Sequence, residues 1–161
     1  MAFNHSIVTL PKVTIAGIHV STDITNASKE CPALWLNFGE HVVGKLIGSP
    51  ILDSNYNDNV YGASIALSES RFEYWAGCAI TSTDGLPTEL DYLILEAGDY
   101  VTCTVEQIEQ IVPAYDSIYK KWSAETTKYE LDLQFPCFEQ YVKDWSPGMP
   151  FNIYVKIKAK L

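Results

Sequence analysis

The order in which helical and β-rich segments follow one another constrains this chain more than any other feature of its sequence. Apolar residues spaced three and four apart predict one helix from about residue 27 to residue 46 and a second that ends near Trp122. Pro113 fits this second helix if the helix begins near Ile111, which leaves the proline in the first turn. Runs rich in β-branched and aromatic residues surround both helices, so each half of the chain has the predicted order strand, helix, strand, strand.

This order of elements predicts an α+β fold, in which two main helices pack on a mostly antiparallel sheet. A chain of 161 residues has the length of one domain. We expect this single domain to consist of two repeats, at about residues 1–86 and 87–161, related by pseudo-two-fold symmetry. The sequence also predicts one bent or edge-placed strand over 7–20 around Pro11, a hairpin over 60–80 and a turn-rich loop over 48–59. Two such halves would form a cleft at their junction, where small-molecule sites commonly lie.

The charge of the chain disfavours two classes of partner. Lys and Arg number 11 against 20 Asp and Glu, which gives a net charge of −9, and Arg71 is the single arginine. Nucleic-acid affinity depends on cations that neutralise phosphates, and anionic membranes attract basic segments. We therefore expect neither nucleic acid nor a membrane as a partner. An acidic surface suits a soluble protein, or one that attracts cationic ligands.

Cysteine and histidine spacing argues against a metal centre. No two cysteines form a CxxC pair, and we expect all four to be free thiols, mostly buried, as in a reducing compartment. The three histidines lie far apart and have no second ligand at metal-binding spacing. We predict neither a metal nor another cofactor. Since the sequence shows no leader-like pattern and no apolar run of about 18 residues, we expect a cytoplasmic protein.

A carboxylate in segment 135–141 is the main candidate for chemistry. Strand alternation places it on one face with apolar and aromatic neighbours; the residues of that face are Phe135, Cys137, Glu139 and Tyr141. A carboxylate in such surroundings is unfavourable unless it is hydrogen-bonded, paired or used by a ligand. Burial would raise its pKa, so Glu139 could hold a cation or act as a proton donor or base near neutral pH. The structural alternatives are an edge-strand glutamate that reaches solvent and one that a tyrosine hydroxyl satisfies.

Aromatic residues are numerous, with ten Tyr, six Phe and four Trp, and some of them should line a binding surface. Gly62 and Gly77 leave their strands without side chains, so Tyr61 and Trp75 are candidates to stand beside open space. Glycines at bulges and aromatics in the core would explain the same pattern. Tyr119 on the second helix can pack in the core or direct its hydroxyl into a cavity.

Five short segments match a known family in their order and spacing. They are Val60-Tyr61-Gly62, Phe72-Glu73-Tyr74-Trp75-Ala76-Gly77, Ala97-Gly98-Asp99-Tyr100, Tyr119-Lys120-Lys121-Trp122 and Phe138-Glu139-Gln140-Tyr141. With these segments the sequence resembles the GyrI-like small-molecule-binding family, which includes the effector-binding domains of several multidrug-responsive transcription regulators. The resemblance covers nearly the whole chain. It implies two strand-helix-strand-strand units and a ligand pocket lined by aromatic residues around one glutamate.

The resemblance also implies which residues would bind ligand. Glu139 matches the pocket glutamate that faces cationic, lipophilic compounds, Tyr61 matches an aromatic ligand contact, and Tyr119 is a further match. Trp75 and Trp145 are added as pocket walls from their position and chemistry rather than from a shared motif. The regulators carry a separate helix-turn-helix domain, whereas the ligand-binding fold takes up all 161 residues here, so we expect a stand-alone member.

Three functions are consistent with these residues. The first is binding of a hydrophobic, aromatic or cationic small molecule, such as a drug or xenobiotic, in a pocket with Glu139 at its base. The second is a hydrolase with the same pocket, because some family members resemble hydrolases that open the strained cyclopropane rings of DNA-alkylating natural products. In that case Glu139 would be the catalytic acid/base or would position water. The third is an adaptor that contacts a protein partner through an exposed sheet face.

Overall fold

The computed structural model of the chain describes residues 2–46, 49–53, 60–142 and 144–161. Nine strands and two long helices lie within these ranges. The strands are β1 (Ser6–Leu10), β2 (Val13–Asp23), β3 (Val60–Ala66), β4 (Arg71–Ile80), β5 (Asp91–Leu95), β6 (Gly98–Val105), β7 (Tyr129–Leu131), β8 (Cys137–Tyr141) and β9 (Phe151–Ala159).

Both helices contain a π-helical segment between α-helical segments. The first helix is α-helical over Ala27–Asn37, π-helical over Phe38–Val42 and α-helical over Val43–Leu46. The second helix has a 3-10 turn at Ile108–Gln110, α-helix at Ile111–Asp116, π-helix at Ser117–Trp122 and α-helix at Ser123–Glu125. Pro113 therefore lies in the first α-helical turn, as predicted, where its missing N–H removes no helical hydrogen bond. π-Helical turns are rare and recur at functional sites.

The strand order of the sheet is symmetric about its centre. The order is β1-β6-β9-β8-β3-β4-β2-β5, with β7 paired to β9, and every pair is antiparallel. The central pair is β3 with β8, and β4 and β2 on one side correspond to β9 and β6 on the other. The predicted α+β class, antiparallel sheet and two helices are confirmed. The division of the chain near residue 86 stays a prediction.

Two details of the strands differ from the prediction. The single bent strand expected over 7–20 is two strands, because Pro11 has no N–H to donate and interrupts the pairing, after which β2 joins different neighbours from β1. Strand β7 has no predicted counterpart, since three residues are too few to show an alternating pattern. The loop expected over 48–59 lies mostly outside the described residues.

The sheet separates two clusters of buried side chains. On the helix face, strand residues such as Ala16 pack with Leu34 of the first helix and Ile118 of the second. The far face carries a second cluster of strand residues only, which includes Ile15, Tyr61, Trp75, Tyr100, Phe138 and Tyr154. Neighbouring residues in a strand point to opposite faces, so Phe138 belongs to the far face and Glu139 to the helix face.

All four cysteines are free thiols, as predicted. Cys78 and Cys103 are buried in the helix-face cluster, and burial raises the pKa of Cys78 to about 12 and that of Cys103 to about 11. Cys31 and Cys137 are half-buried. Among the described residues, no helix combines the length and the hydropathy that a membrane-spanning segment needs.

Candidate functional site

Glu139 lies near the centre of the sheet, on the face that the helices cover. It belongs to β8, and its partner across the strand pair is Gly62 of β3. The residue is 1% exposed, so the carboxylate is removed from solvent. Cys137 and Tyr141 share its face, in agreement with strand alternation, whereas Phe135 lies before the strand begins.

Three tyrosine hydroxyls donate hydrogen bonds to the Glu139 carboxylate. Tyr74 and Tyr141 donate to Oε1, at 2.8 Å and 3.3 Å. Tyr115 donates to Oε2, at 2.5 Å. Hydrogen bonds to an ionised acceptor are stronger than neutral ones, so they offset part of the unfavourable desolvation of the charge. Of the two structural alternatives, the glutamate satisfied by tyrosine hydroxyls describes this site and the solvent-exposed glutamate does not.

The hydrogen-bond donors come from the sheet and from both helices. Tyr74 lies on β4, Tyr141 on β8 itself and Tyr115 on the second helix. The first helix contributes Trp35, whose indole N–H donates to the hydroxyl oxygen of Tyr74 at 3.0 Å. The carboxylate of Glu139 is therefore enclosed on all of these sides by aromatic residues.

Gly62 leaves the space that the hydrogen bond between Tyr74 and Glu139 occupies. A Cβ atom at residue 62 would lie 2.2 Å from the Tyr74 hydroxyl oxygen and 2.8 Å from Oε1 of Glu139. Both distances are well below van der Waals contact, so a side chain here would displace the hydrogen bond. The space that the missing side chain leaves at Gly62 is therefore filled by the side chains of Tyr74 and Glu139.

The described residues supply no cationic partner for the Glu139 carboxylate. No Lys, Arg or His side chain of the described residues forms an ion pair with it. Burial raises the pKa of Glu139 to about 7, and the hydrogen bonds from the three tyrosines oppose this rise. Near neutral pH the site therefore contains a carboxyl group that is present in both its neutral and its charged form.

Two thiols, Cys31 and Cys137, lie near Glu139. Burial, followed by the charge of Glu139, raises the pKa of Cys31 to about 12 and that of Cys137 to about 11. The Cys137 thiol donates a hydrogen bond to the backbone carbonyl of Ser64 at 4.0 Å. Because the thiolate is the nucleophilic form, these raised pKa values disfavour nucleophilic chemistry at both cysteines near neutral pH.

Two of the predicted ligand residues, Tyr119 and Trp145, lie close to the tyrosines that bind Glu139. The rings of Tyr119 and Tyr115 stack with their centroids 6.2 Å apart. The Trp145 ring packs edge-on against Tyr141 at 5.0 Å. Each of these two side chains is half-buried and contacts a tyrosine of the site rather than the carboxylate itself.

The other two predicted ligand residues, Tyr61 and Trp75, lie on the far face of the sheet. Tyr61 is 4% exposed and Trp75 is 5% exposed. The Trp75 ring stacks on His19, and its N–H donates to Glu73 at 2.6 Å. The structure does not bring these two residues together with Glu139, because each is next in its strand to a residue that faces the helices. A ligand role for them stays a prediction.

Tyr74, Tyr115 and Trp35 are site residues that the sequence analysis misses. Tyr115 lies four residues before Tyr119 in the predicted helix, so the i, i+4 spacing could have placed it on the same face. Tyr74 immediately precedes Trp75 in its strand. To choose Tyr74 rather than Trp75, one would have to know which face of the strand lies beside Glu139. No local pattern distinguishes Trp35.

Two surface clefts lie away from Glu139. One has a volume of about 330 Å³ and is lined by Ala2, Phe3, Asn4, Thr104, Glu106 and Gln110. The other has a volume of about 410 Å³ and is lined by Ile7, Trp122, Glu125, Thr126, Thr127, Lys128 and Tyr129. The described ranges contain no group of three or more His, Cys, Asp or Glu side chains that could hold a metal ion.

One known family matches almost the whole chain. The model of the family described as integron-associated effector binding protein, Cass2, matches residues 6–157. The chain belongs to this family. Membership confirms the resemblance to GyrI-like effector-binding proteins that the sequence motifs indicate, and it assigns the chain to a group of small-molecule-binding domains.

Solved structures share the fold of this effector-binding family member at low sequence identity. An integron cassette protein from the mobile metagenome of Vibrio cholerae is 18% identical, with 97% of each chain covered and a TM-score of 0.67. SAV2435, in a structure bound to tetraphenylphosphonium, is 14% identical over 96% of this chain and 94% of that chain, with a TM-score of 0.74. The EcmrR C-terminal domain is 14% identical over 98% and 99%, with a TM-score of 0.66. Curated protein sequences include no match to the chain.

Proposed function

We propose that this effector-binding protein binds a hydrophobic cation and uses the Glu139 carboxylate as the counter-charge. The observation that supports this function is a carboxylate, 1% exposed, that three tyrosines hold and that no cation of the described residues neutralises. A buried charge without a partner is unfavourable, so a ligand that brings a positive charge would stabilise the ionised form. Aromatic rings around it add apolar contact and attract cations to their faces.

The hydrogen bonds of Glu139 favour a cation that needs few hydrogen bonds of its own. Oε1 accepts two hydrogen bonds and Oε2 accepts one, so most acceptor positions of the carboxylate are in use. A bulky organic cation with shielded or delocalised charge gains Coulomb attraction and apolar contact without needing these positions. We therefore propose lipophilic drug-like or xenobiotic cations as the ligand class. Tetraphenylphosphonium, the compound bound to SAV2435 in its solved structure, is a suitable probe.

Ligand contact with Glu139 requires an aromatic side chain to move, because the carboxylate is covered. Tyr74 and Tyr141 are themselves buried. Trp35, Tyr119 and Trp145, by contrast, are half-buried and stand beside the tyrosines that bind the carboxylate. We propose these three residues as the side chains that a ligand meets first.

The test is calorimetric titration with tetraphenylphosphonium at about pH 8, where Glu139 is mostly ionised. Glu139→Gln keeps the size and a carbonyl acceptor but removes the charge, and we expect the affinity to fall roughly tenfold to a hundredfold. Glu130→Gln is the matched control, because Glu130 is an exposed glutamate that pairs with Lys158 on the neighbouring strand. This control should bind as the wild type does. Equal affinity of wild type and Glu139→Gln would contradict the proposal.

A hydrolase is the second candidate, and the pKa of Glu139 near neutrality favours it. A carboxyl group in this state can protonate a leaving carbon or take a proton from water at physiological pH. Hydrolytic opening of a cyclopropane adds one water, a hydrogen to one ring carbon and a hydroxyl to the other. Mass spectrometry of a cyclopropane-bearing alkylating compound incubated with wild type and Glu139→Gln would detect this product. Unchanged compound in the wild-type incubation would eliminate the hydrolase.

A further inference from the structure

We propose that Trp35 is a positioning residue of the Glu139 site: its indole N–H sets the direction in which the Tyr74 hydroxyl donates. This role deepens the proposed function, since Trp35 would set the strength of the contact that prepares the carboxylate for a cation. The proposal rests on three linked contacts that connect the first helix with Oε1 of Glu139.

The first two contacts form a chain of hydrogen bonds. The Trp35 N–H donates to the Tyr74 hydroxyl oxygen at 3.0 Å, and the Tyr74 hydroxyl donates to Oε1 of Glu139 at 2.8 Å. An indole N–H can only donate, so the Tyr74 oxygen accepts from Trp35 and its single hydrogen is left to point to Glu139. A hydroxyl that accepts one hydrogen bond becomes a stronger donor in the next.

The third contact joins Trp35 to the other hydroxyl that binds Oε1. The Trp35 and Tyr141 rings meet edge-on with centroids 5.6 Å apart, and Tyr141 donates to the same carboxylate oxygen at 3.3 Å. Trp35 therefore touches both donors of Oε1. The donor of Oε2, Tyr115, belongs to the second helix instead. The first helix therefore contacts the two donors of Oε1 through Trp35, and the second helix supplies the donor of Oε2 through Tyr115.

Trp35 lies where an entering ligand could contact it directly. It is half-buried, unlike Tyr74, and lies three residues before the π-helical segment Phe38–Val42 of the first helix. A ligand can therefore contact the accessible part of the Trp35 ring while the indole N–H still donates to Tyr74. The cation then stabilises the charge of Glu139 by Coulomb attraction, while the tyrosine hydroxyls keep their hydrogen bonds to Oε1 and Oε2.

The experiment is a double-mutant cycle read out on Glu139 itself. Trp35→Phe keeps a ring against Tyr141 but removes the N–H, and Tyr74→Phe removes the hydroxyl. The pKa of the Glu139 carboxyl, followed by carbon-13 NMR, should rise in Trp35→Phe, because a weaker donor stabilises the ionised form less. The double variant should match Tyr74→Phe alone, because Trp35 acts through Tyr74.

Trp145→Phe is the matched control for the loss of an indole N–H. Trp145 also packs edge-on against Tyr141, but its N–H donates to the backbone carbonyl of Met149 at 2.9 Å. The pKa of Glu139 should therefore stay at its wild-type value in this variant. An equal change in Trp35→Phe and Trp145→Phe would mean that both act by packing, and the proposal would be overturned.

The affinity for tetraphenylphosphonium gives a second measurement. We expect Trp35→Phe to weaken it roughly threefold to tenfold, the effect of one ordinary hydrogen bond. An unchanged pKa of Glu139 in Trp35→Phe, or additive effects of Trp35→Phe and Tyr74→Phe, overturns the role of Trp35 even if the wild type binds the cation. If the wild type fails to bind, a non-additive rise in pKa still supports the role of Trp35, and the proposed function alone is contradicted.

Discussion

Both faces of the sheet are rich in aromatic residues, but the two faces use the polar atoms of these residues differently. On the helix face, three tyrosine hydroxyls converge on the carboxylate of Glu139. On the far face two hydroxyls go to separate partners: Tyr154 donates to the Gln140 side chain and Tyr100 donates to the Glu96 carbonyl. Convergence of donors on one buried charge, and not the density of rings, therefore distinguishes the candidate site from the core on the other face.

Phe138 and Glu139 are adjacent residues that face opposite sides of the sheet, and Phe138→Ala should lower the stability of the protein most strongly. Phe138→Ala removes a buried ring that stacks on Tyr154 at 4.9 Å, and such truncations lower the free energy of unfolding by about 3–5 kcal/mol. Phe138 points away from Glu139, so the affinity of the folded protein for tetraphenylphosphonium should change by less than about twofold. Urea unfolding and calorimetry measure the two quantities.

Phe138→Leu provides the same comparison with a smaller loss of stability, should the alanine variant not fold. A loss of affinity in the folded variant as large as that of Glu139→Gln would show that the two faces act as one site.

The next effect is the pH dependence that Glu139 gives to stability. Its pKa is raised from 4.5 to about 7 by burial, so the folded protein binds this proton more tightly than the unfolded chain does. Its stabilising contribution is complete below about pH 4.5 and is lost as the pH rises through about 7, with a total of about 3 kcal/mol. Urea unfolding between these values should show the loss in wild type and not in Glu139→Gln. An identical pH dependence of stability in both proteins would contradict its attribution to Glu139.

Tyr115→Phe should have a smaller effect that also depends on pH. It removes the hydrogen bond to Oε2 at 2.5 Å, which contributes about 2 kcal/mol when the acceptor is charged and less when it is neutral. The pKa of Glu139 should rise, because this hydrogen bond lowers it in the wild type. Unfolding at about pH 8 should therefore show a larger loss than unfolding at about pH 5. A loss of equal size at both pH values would argue that the Tyr115 hydroxyl contributes nothing specific to the charged form.

The smallest effect is expected for the corresponding change on the far face. Tyr154→Phe removes a 3.2 Å hydrogen bond between two neutral groups, the Tyr154 hydroxyl and the Gln140 amide oxygen. The free energy of unfolding should fall by about 0.5–1 kcal/mol, and by the same amount at low and high pH. Unfolding titrations paired with those of Tyr115→Phe test the contrast directly. A pH-dependent loss in Tyr154→Phe would remove the distinction between the faces.

The order of elements was predictable because it depends on local periodicity. The helical stripe over 27–46 and the place of Pro113 follow from side-chain spacing within a few turns. The separation of β1 from β2 does not, because it depends on which strands each of them pairs with. Those partner strands lie in distant parts of the chain, and the residues around Pro11 do not indicate which strands they are.

Of the group formed by Glu139 and its hydrogen-bond partners, only Glu139 is predicted as a site residue from the sequence. Alternation in β8 identifies Glu139 as a carboxylate on an apolar face, but it leaves open whether this side chain is buried or reaches solvent. Its partners are remote in sequence, since Tyr74 lies 65 residues from Glu139 and Trp35 lies 39 residues from Tyr74. Choosing Trp75 over Tyr74 shifts the prediction by one residue, and in a strand one residue changes the face.

The outermost strands also determine how the molecule can be divided. Strand β1 completes the sheet beside β6, and β5 completes it beside β2, so each half of the chain supplies the border of the other. A protein cut near residue 86 would give two fragments with unfinished edges that only the opposite fragment fills. We expect such fragments to complement each other when mixed, and not to behave as two smaller independent modules.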